Sequence, residues 1–346
     1  MLSVIRFRIM KRLVTLVLLC MVFCCSQPTA FNRVTVKERS ILVNNKPYLI
    51  KGICYHPVPK GSPNERSWET LTHDLQLMTA AGINTIRLYA PVDDRTVLDA
   101  IDAAGIKVII GFGYNQDGVF DIASGSYLDY IETYKNHKAI LMWELGNEYN
   151  YHPQWFDGDI KNWYRAMNTA AAMIKETDPN HPTTTAHGDL PDALALSLGT
   201  HIDVWGMNVY RWDAPASIFK EWELISEKPM YLSETGGDSY MKIAKAGYEQ
   251  GENEKAQADA IQRILKDVFD YQNICSGVTV FSFTDGWWKA GNNDVQDVGG
   301  YAPNSSGVPY DGAPNEEYWG IVNIEREKKL AYSVLQETYL STKLNN

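Results

Sequence analysis

The 346-residue sequence predicts an α/β fold of the (β/α)8 barrel type, with a short β-hairpin before the barrel and a long loop after its eighth strand. Three observations predict it. The stretch Ala80-Ala81-Gly82-Ile83-Asn84-Thr85-Ile86-Arg87-Leu88 is echoed by Ala103-Ala104-Gly105-Ile106-Lys107-Val108-Ile109-Ile110-Gly111. Each copy reads as a helix end, a glycine stop and a buried strand, and two in succession mean parallel β-α-β connections. Eight apolar strand candidates then alternate with helical patterns along the chain, as a closed barrel requires. Finally, no glycine-rich phosphate turn follows the first strand, which disfavours an open doubly wound sheet.

The elements follow in order. Residues 33–47 read as a hairpin turning at Asn44-Asn45-Lys46-Pro47, placed to close the barrel bottom. Strands are expected at 48–55, 83–89, 106–112, 139–143, 183–186, 204–209, 230–233 and 278–283. Helices are expected at 67–81, 94–104, 119–135, 159–177, 215–226, 253–271 and 327–340, with a short fifth crossover near 191–198. The first helix carries Trp68, Leu71, Leu75 and Met78 on one stripe, after Ser67 as its N-cap. The stretch 284–318 is rich in Gly, Asn, Asp and Pro and too long for a simple connection, so it reads as a functional loop over one barrel face. Residues 31–346 form a single domain in this reading, with no linker.

Residues 1–30 read as a targeting segment. Arg6, Arg8, Lys11 and Arg12 precede an apolar run from Leu13 to Cys25 that is too short to span a bilayer and fits a secretory signal, with Met10 as an alternative start. Val22-Phe23-Cys24-Cys25-Ser26 loosely resembles a lipoprotein cleavage box, and Pro28-Thr29-Ala30 offers ordinary cleavage instead. The expected location is secreted, periplasmic or lipid-anchored, with membrane contact only through that anchor. Without this segment 28 Lys and Arg face 42 Asp and Glu, a net charge of −14. That excess argues against nucleic acid as partner and against acidic polysaccharides. Cys54 and Cys275 remain, expected at opposite ends of neighbouring strands and therefore as two free buried thiols.

Barrel chemistry sits at the C-terminal ends of the strands. Those positions here are His56, Arg87, Tyr89, Tyr114, Asn147, Glu148, His187, Asn208, Tyr210, Glu234, Asp285 and Trp287. A structural rim would favour small or apolar residues, so this convergence reads as a site. Glu148 in Trp143-Glu144-Leu145-Gly146-Asn147-Glu148 and Glu234 in Pro229-Met230-Tyr231-Leu232-Ser233-Glu234 supply the carboxylate pair that glycosidic-bond cleavage needs. Glu144 is a third carboxylate, expected inside the barrel and paired with a cation. His73, His137 and His181 lack metal-site spacing, and 292–297 lacks the twelve-residue calcium loop, so no metal or cofactor is expected.

Asn147-Glu148 after the fourth strand, Glu234 after the seventh and Arg87 after the second resemble the retaining glycoside hydrolases of clan A, which include families 2, 5, 17 and 72. Tyr210 after the sixth strand matches less closely, because Asn208 stands where some members carry His. The resemblance implies double displacement, with Glu234 as nucleophile and Glu148 as general acid and then base. It implies that Arg87 favours the ionised Glu234, that Tyr210 orients it, and that Asn147 holds the sugar 2-hydroxyl. It matches Trp287 to an aromatic floor, with Trp288 as the competing residue. His56, Tyr89, Asn208 and Asp285 complete the expected substrate contacts, although His56 and His187 read better as plain rim hydrogen-bonders.

The substrate expected is an oligo- or polysaccharide. Ile83 through Tyr89 is similar to families 17 and 72, which favours a β-glucan such as a β-1,3-glucan. Asn45-Lys46-Pro47 through His56 is similar to family 2, whose barrels act on β-galactosides, β-mannosides and β-glucuronides. Alternatives are a transglycosylase on the same substrates, a β-galactosidase or β-mannosidase activity, and a non-catalytic carbohydrate-binding protein. Trp155, Trp212, Trp287 and Trp288 are candidate stacking platforms.

Overall fold

The computed structural model describes residues 32–115, 119–211, 214–299, 311–312 and 315–344. The expected targeting segment, with Cys20, Cys24 and Cys25, lies outside the described residues, as does Trp212. An antiparallel meander comes first: β1 (Val34–Lys37), β2 (Ser40–Val43) and β3 (Lys46–Tyr48). The barrel strands are β4 (Ile50–Cys54), β5 (Thr85–Leu88), β6 (Lys107–Phe112), β7 (Ile140–Asn147), β8 (Thr183–Gly188), β9 (Val204–Asn208) and β10 (Met230–Thr235). A small pair, β11 (Tyr240–Met241) and β12 (Gly251–Glu252), precedes the last barrel strand, β13 (Cys275–Val280). The eight barrel strands pair parallel in chain order, and β13 closes against β4. They are buried along nearly their whole length, because helices cover the outside and side chains fill the inside.

The outer helices are α1 (Leu71–Ala80), α2 (Arg95–Ala103), α3 (Tyr127–Tyr134), α4 (Ile160–Thr177), α5 (Ala193–Leu198), α6 (Ala216–Ile225), α7 (Glu254–Asp270) and α8 (Leu330–Ser341). Asp94, Asp159, Asp192 and Asn253 cap α2, α4, α5 and α7 by accepting from N–H groups of the first turn. Three expectations are corrected. The opening hairpin is present, with a further strand, as a three-stranded sheet, but the turn between β2 and β3 is Asn44-Asn45 alone, both left-handed at φ 51° and 63°, so Lys46 and Pro47 belong to β3. Ser67 does not cap α1, which begins at Leu71 after Thr70. The third helix starts at Tyr127 rather than 119, because left-handed Phe120 and Gly125 turn the chain before it.

The meander plugs the N-terminal end of the barrel, as expected. Val34 and Ile41 pack into a buried cluster with Ile50, Ile109, Leu141, Met142, Val204 and Tyr231. Ser276 Oγ donates to Arg39 O at 2.9 Å, and Tyr48 OH lies 2.9 Å from Thr85 Oγ1. Cys54 and Cys275 are buried and free. The opposite end therefore remains for chemistry.

Candidate active site

Both glutamates follow a break in strand register. On β7 the pairing to β8 shifts between Glu144 and Asn147, and on β10 the pairing to β9 shifts between Leu232 and Glu234. Such irregularities re-aim the side chains that follow. Gly146, at φ 68°, makes the turn on β7; a Cβ there would lie 2.4 Å from Trp163 Cζ2. Glu148 is itself left-handed at φ 54°, an uncommon conformation for a residue with a side chain. Its amide donates to Ala186 O at 2.8 Å, so the surrounding sheet holds the conformation.

Arg87 organises the floor. It is fully buried, and its Nε lies 3.0 and 2.8 Å from the two oxygens of Glu144. Nη1 donates to Glu234 Oε1 at 2.7 Å, and Nη2 donates to Glu144 Oε1 at 2.7 Å and Asn147 Oδ1 at 2.8 Å. Tyr231 OH also donates to Glu144, at 3.1 Å. Glu144 is thus the internal partner of a cation, and that cation reaches on to Glu234. The structural and functional readings of Arg87 hold together.

Glu234 is buried and receives three donors: Arg87 Nη1 and Tyr89 OH, each 2.7 Å from Oε1, and Tyr210 OH, 2.8 Å from Oε2. Burial and the neighbouring carboxylate keep both phenols well above their ordinary range, so they remain donors. A carboxylate that only accepts, held on both oxygens, is equipped for nucleophilic attack. Tyr89 therefore holds Glu234, where a sugar contact was expected of it.

Glu148 is in the opposite state. Burial first, then the charge of Glu234, raises its pKa to about 7. A hydrogen bond from Asn208 and the more distant Arg87 and Lys289 pull the other way. Each acid therefore lies within electrostatic reach of the other, and burial equips Glu148 as the proton donor of the pair.

Asn208 links the two strand ends. Its Nδ2 donates to Asn147 Oδ1 at 3.1 Å, and its Oδ1 accepts from Ser233 Oγ at 2.7 Å. Asn147 Oδ1 accepts from both Arg87 and Asn208, which turns its Nδ2, without a partner among the described residues, outward as a donor. That is the group a sugar hydroxyl would meet.

His56 lines the same hollow as Tyr89, with Nε2 2.8 Å from Asn64 Oδ1. Burial pushes its pKa down to about 4, so the ring is neutral. His187 packs away from the acids, with Nε2 3.2 Å from Tyr164 OH. Tyr114 stacks edge-on against Phe156 and Trp163.

Two expected contacts are corrected. Asp285 is buried and its oxygens are taken by Lys329 Nζ at 2.6 Å, Gly320 N at 2.9 Å and Gln296 Nε2 at 3.1 Å, so it anchors loops rather than substrate. Trp287 stands under the Lys60 ammonium, 4.4 Å from the ring centre, while Trp288 lines the hollow beside His56. Phe281, directly after β13, also lines it and packs on Trp319 at 5.6 Å. Trp319 in turn backs Tyr210 at 5.2 Å. Lys289 and Glu316 complete the wall, with Nζ 2.9 Å from Oε2. Phe281 and Trp288 had a signal in their strand-end position; Glu316 and Trp319 had none, because the chain returns to the rim only after the long loop.

The match to known proteins agrees with this geometry. Residues 34–121 match the family model "Glycosyl hydrolases family 2, TIM barrel domain". The barrel is similar to the clan A glycoside hydrolases, and the matching model names family 2. The chain is similar to the β-glucuronidase of Felis catus, 27% identical over 64% of this chain and 35% of that protein. It is also similar to the β-galactosidase large subunit of Latilactobacillus sakei, 27% identical over 35% of this chain and 23% of that one. The fold is that of a family 2 β-galacturonidase from Eisenbergiella tayi, with a TM-score of 0.68, 22% identity and coverage of 92% of this chain and 55% of that one. The chain spans about a third of the length of the glucuronidases it matches. The expected β-1,3-glucan finds no support among these proteins, and the alternative galactoside type fits them better.

Proposed function

We propose that this clan A, family 2-type barrel is a retaining β-glycosidase acting on neutral β-hexosides of the galactoside type. The observation that carries the reading is the division between two carboxyl groups: Glu234, fixed by three donors, and Glu148, whose pKa is raised to about 7. Glu148 protonates the departing oxygen while Glu234 attacks the anomeric carbon. Glu148, now ionised, then activates the water that releases the sugar. Asn147 Nδ2 supplies a donor for the sugar 2-hydroxyl, an interaction that strengthens in the transition state.

Two features favour a neutral sugar. Lys289 on the pocket wall is already neutralised by Glu316, and the chain carries a net charge of −10 over its full length. The same lysine supports a second reading, a β-hexuronidase, in which a sugar carboxylate displaces Glu316; proteins similar to this one bear glucuronidase and galacturonidase names.

The test is hydrolysis of β-galactosides, β-mannosides, β-glucuronides, β-galacturonides and laminarin, followed by NMR. β-Galactoside cleavage with the β-anomer appearing first is expected, and Glu148→Ala and Glu234→Ala are expected to bind without cutting. Unchanged activity in either variant, or the α-anomer appearing first, refutes the mechanism; preference for the uronides selects the second reading.

A further inference from the structure

Trp155 is 55% exposed, and it is the Trp that stands out as exposed among the described residues. Its exposure is built rather than accidental. Its indole stacks on the His152 imidazole at 4.0 Å and 11°, and Tyr149 meets it edge-on at 5.5 Å. One face is therefore covered by a ring and the other is open. Gln154 Nε2 lies 3.1 Å from His152 Nδ1. With the amide as donor, His152 keeps its proton on Nε2.

The pair is tied mechanically to Glu148. Two short 3-10 turns run from Tyr149 to Tyr151 and from Pro153 to Phe156. Tyr151 N donates to Glu148 O, His152 N to Tyr149 O and Trp155 N to His152 O, each at 3.0 Å. Phe156 seals the segment beneath, 3% exposed against Tyr114, Tyr149 and Trp163. The platform thus enters the rim from the same strand end as the acid that protonates the leaving group. Seven residues and two hydrogen-bonded turns separate the indole from that acid along the chain.

A rigid aromatic face backed by a second ring, with a hydrogen-bond donor at its edge, suits the apolar face of a pyranose. We propose that Trp155, backed by His152, is a stacking subsite for the sugar on the leaving-group side of the bond. The inference rests on the glycosidase reading above, since that reading assigns Glu148 to the leaving group.

The experiment compares Trp155→Ala, Trp155→Phe and wild type on lactose and on β-galactosyl fluoride, whose leaving group has no ring to stack. For Trp155→Ala, kcat/KM on lactose is expected to fall about tenfold more than on the fluoride, chiefly through KM, as the loss of one aromatic contact would give. Trp155→Phe should recover most of the difference. Equal losses on both substrates, or no loss on either, overturn the subsite while leaving the glycosidase reading standing. Wild type that cleaves neither substrate overturns the galactoside reading, and with it a subsite for the second sugar of a galactoside.

Discussion

Glu148 works against its own fold. A carboxyl raised to about 7 by burial and by Glu234 holds a proton that the unfolded chain would release near pH 4.5. Between those values the native state binds more protons than the unfolded one, so stability contributed at this position falls as pH rises. On the proposed mechanism the same shift sets catalysis. The general acid is competent below about pH 7 and is lost above it, so kcat/KM should fall on the alkaline side with an apparent pKa near 7. Glu148→Gln removes both effects. It should abolish the alkaline limb, lower kcat by about 10²–10⁴-fold on substrates with poor leaving groups, and raise Tm relative to wild type at pH 8. Rate profiles and thermal melts across pH 4–9 check this. An alkaline limb that survives the substitution would place the acid elsewhere. Arg87 shows a different economy: one guanidinium neutralises buried Glu144, holds Glu234 and turns Asn147. Such a cation satisfies the floor and the reactive group together, and removing it would leave buried charge unpaired.

At the scale of elements, the strand ends do the positioning. The turn that presents Asn147 and Glu148 depends on Gly146, whose φ of 68° and contact with Trp163 leave no room for a Cβ. Gly146→Ala should therefore cost about 1–3 kcal/mol in stability from backbone strain alone. It should also lower kcat far more than the loss of folded protein explains, because Glu148 is carried with the turn. Circular dichroism melts and active-site titration separate the two, and a variant with full kcat would show that the turn is not needed. The strands and both glutamates were legible in the sequence because their signals are local: apolar runs, glycine stops and a carboxylate at each run's end. The rest of the site was not local. Asp285 reads as a rim acid until Lys329, from the start of α8, neutralises it. Trp288 and Trp287 are neighbours in sequence, and only packing against His56 or Lys60 tells them apart. The start of α3 lies later than expected because Phe120 and Gly125 adopt left-handed backbone, which the spacing of Phe120 and Ile122 does not announce.

At the scale of the whole molecule, the barrel separates stability from chemistry by end. The bottom is closed by a meander whose Ile41 is wholly buried among Ile50, Ile109, Leu141, Met142, Val204 and Tyr231. The top carries the two acids, and the strands that join the ends close into one parallel barrel. In such barrels the N-terminal face serves the fold and the C-terminal face serves the reaction. Ile41→Ala should open a cavity that the surrounding strands cannot collapse around, costing about 2–5 kcal/mol. For a domain of this size that is a drop in Tm of several degrees. Well below that lowered Tm the variant should keep the wild-type kcat, KM and alkaline pKa, because the plug reaches Glu234 only indirectly, through Tyr231, Glu144 and Arg87. Calorimetry paired with kinetics at 15 °C makes the comparison. A kinetic defect at that temperature as large as the one in Gly146→Ala would mean that the plug strains the strand ends, and that the two faces are mechanically coupled through the barrel interior.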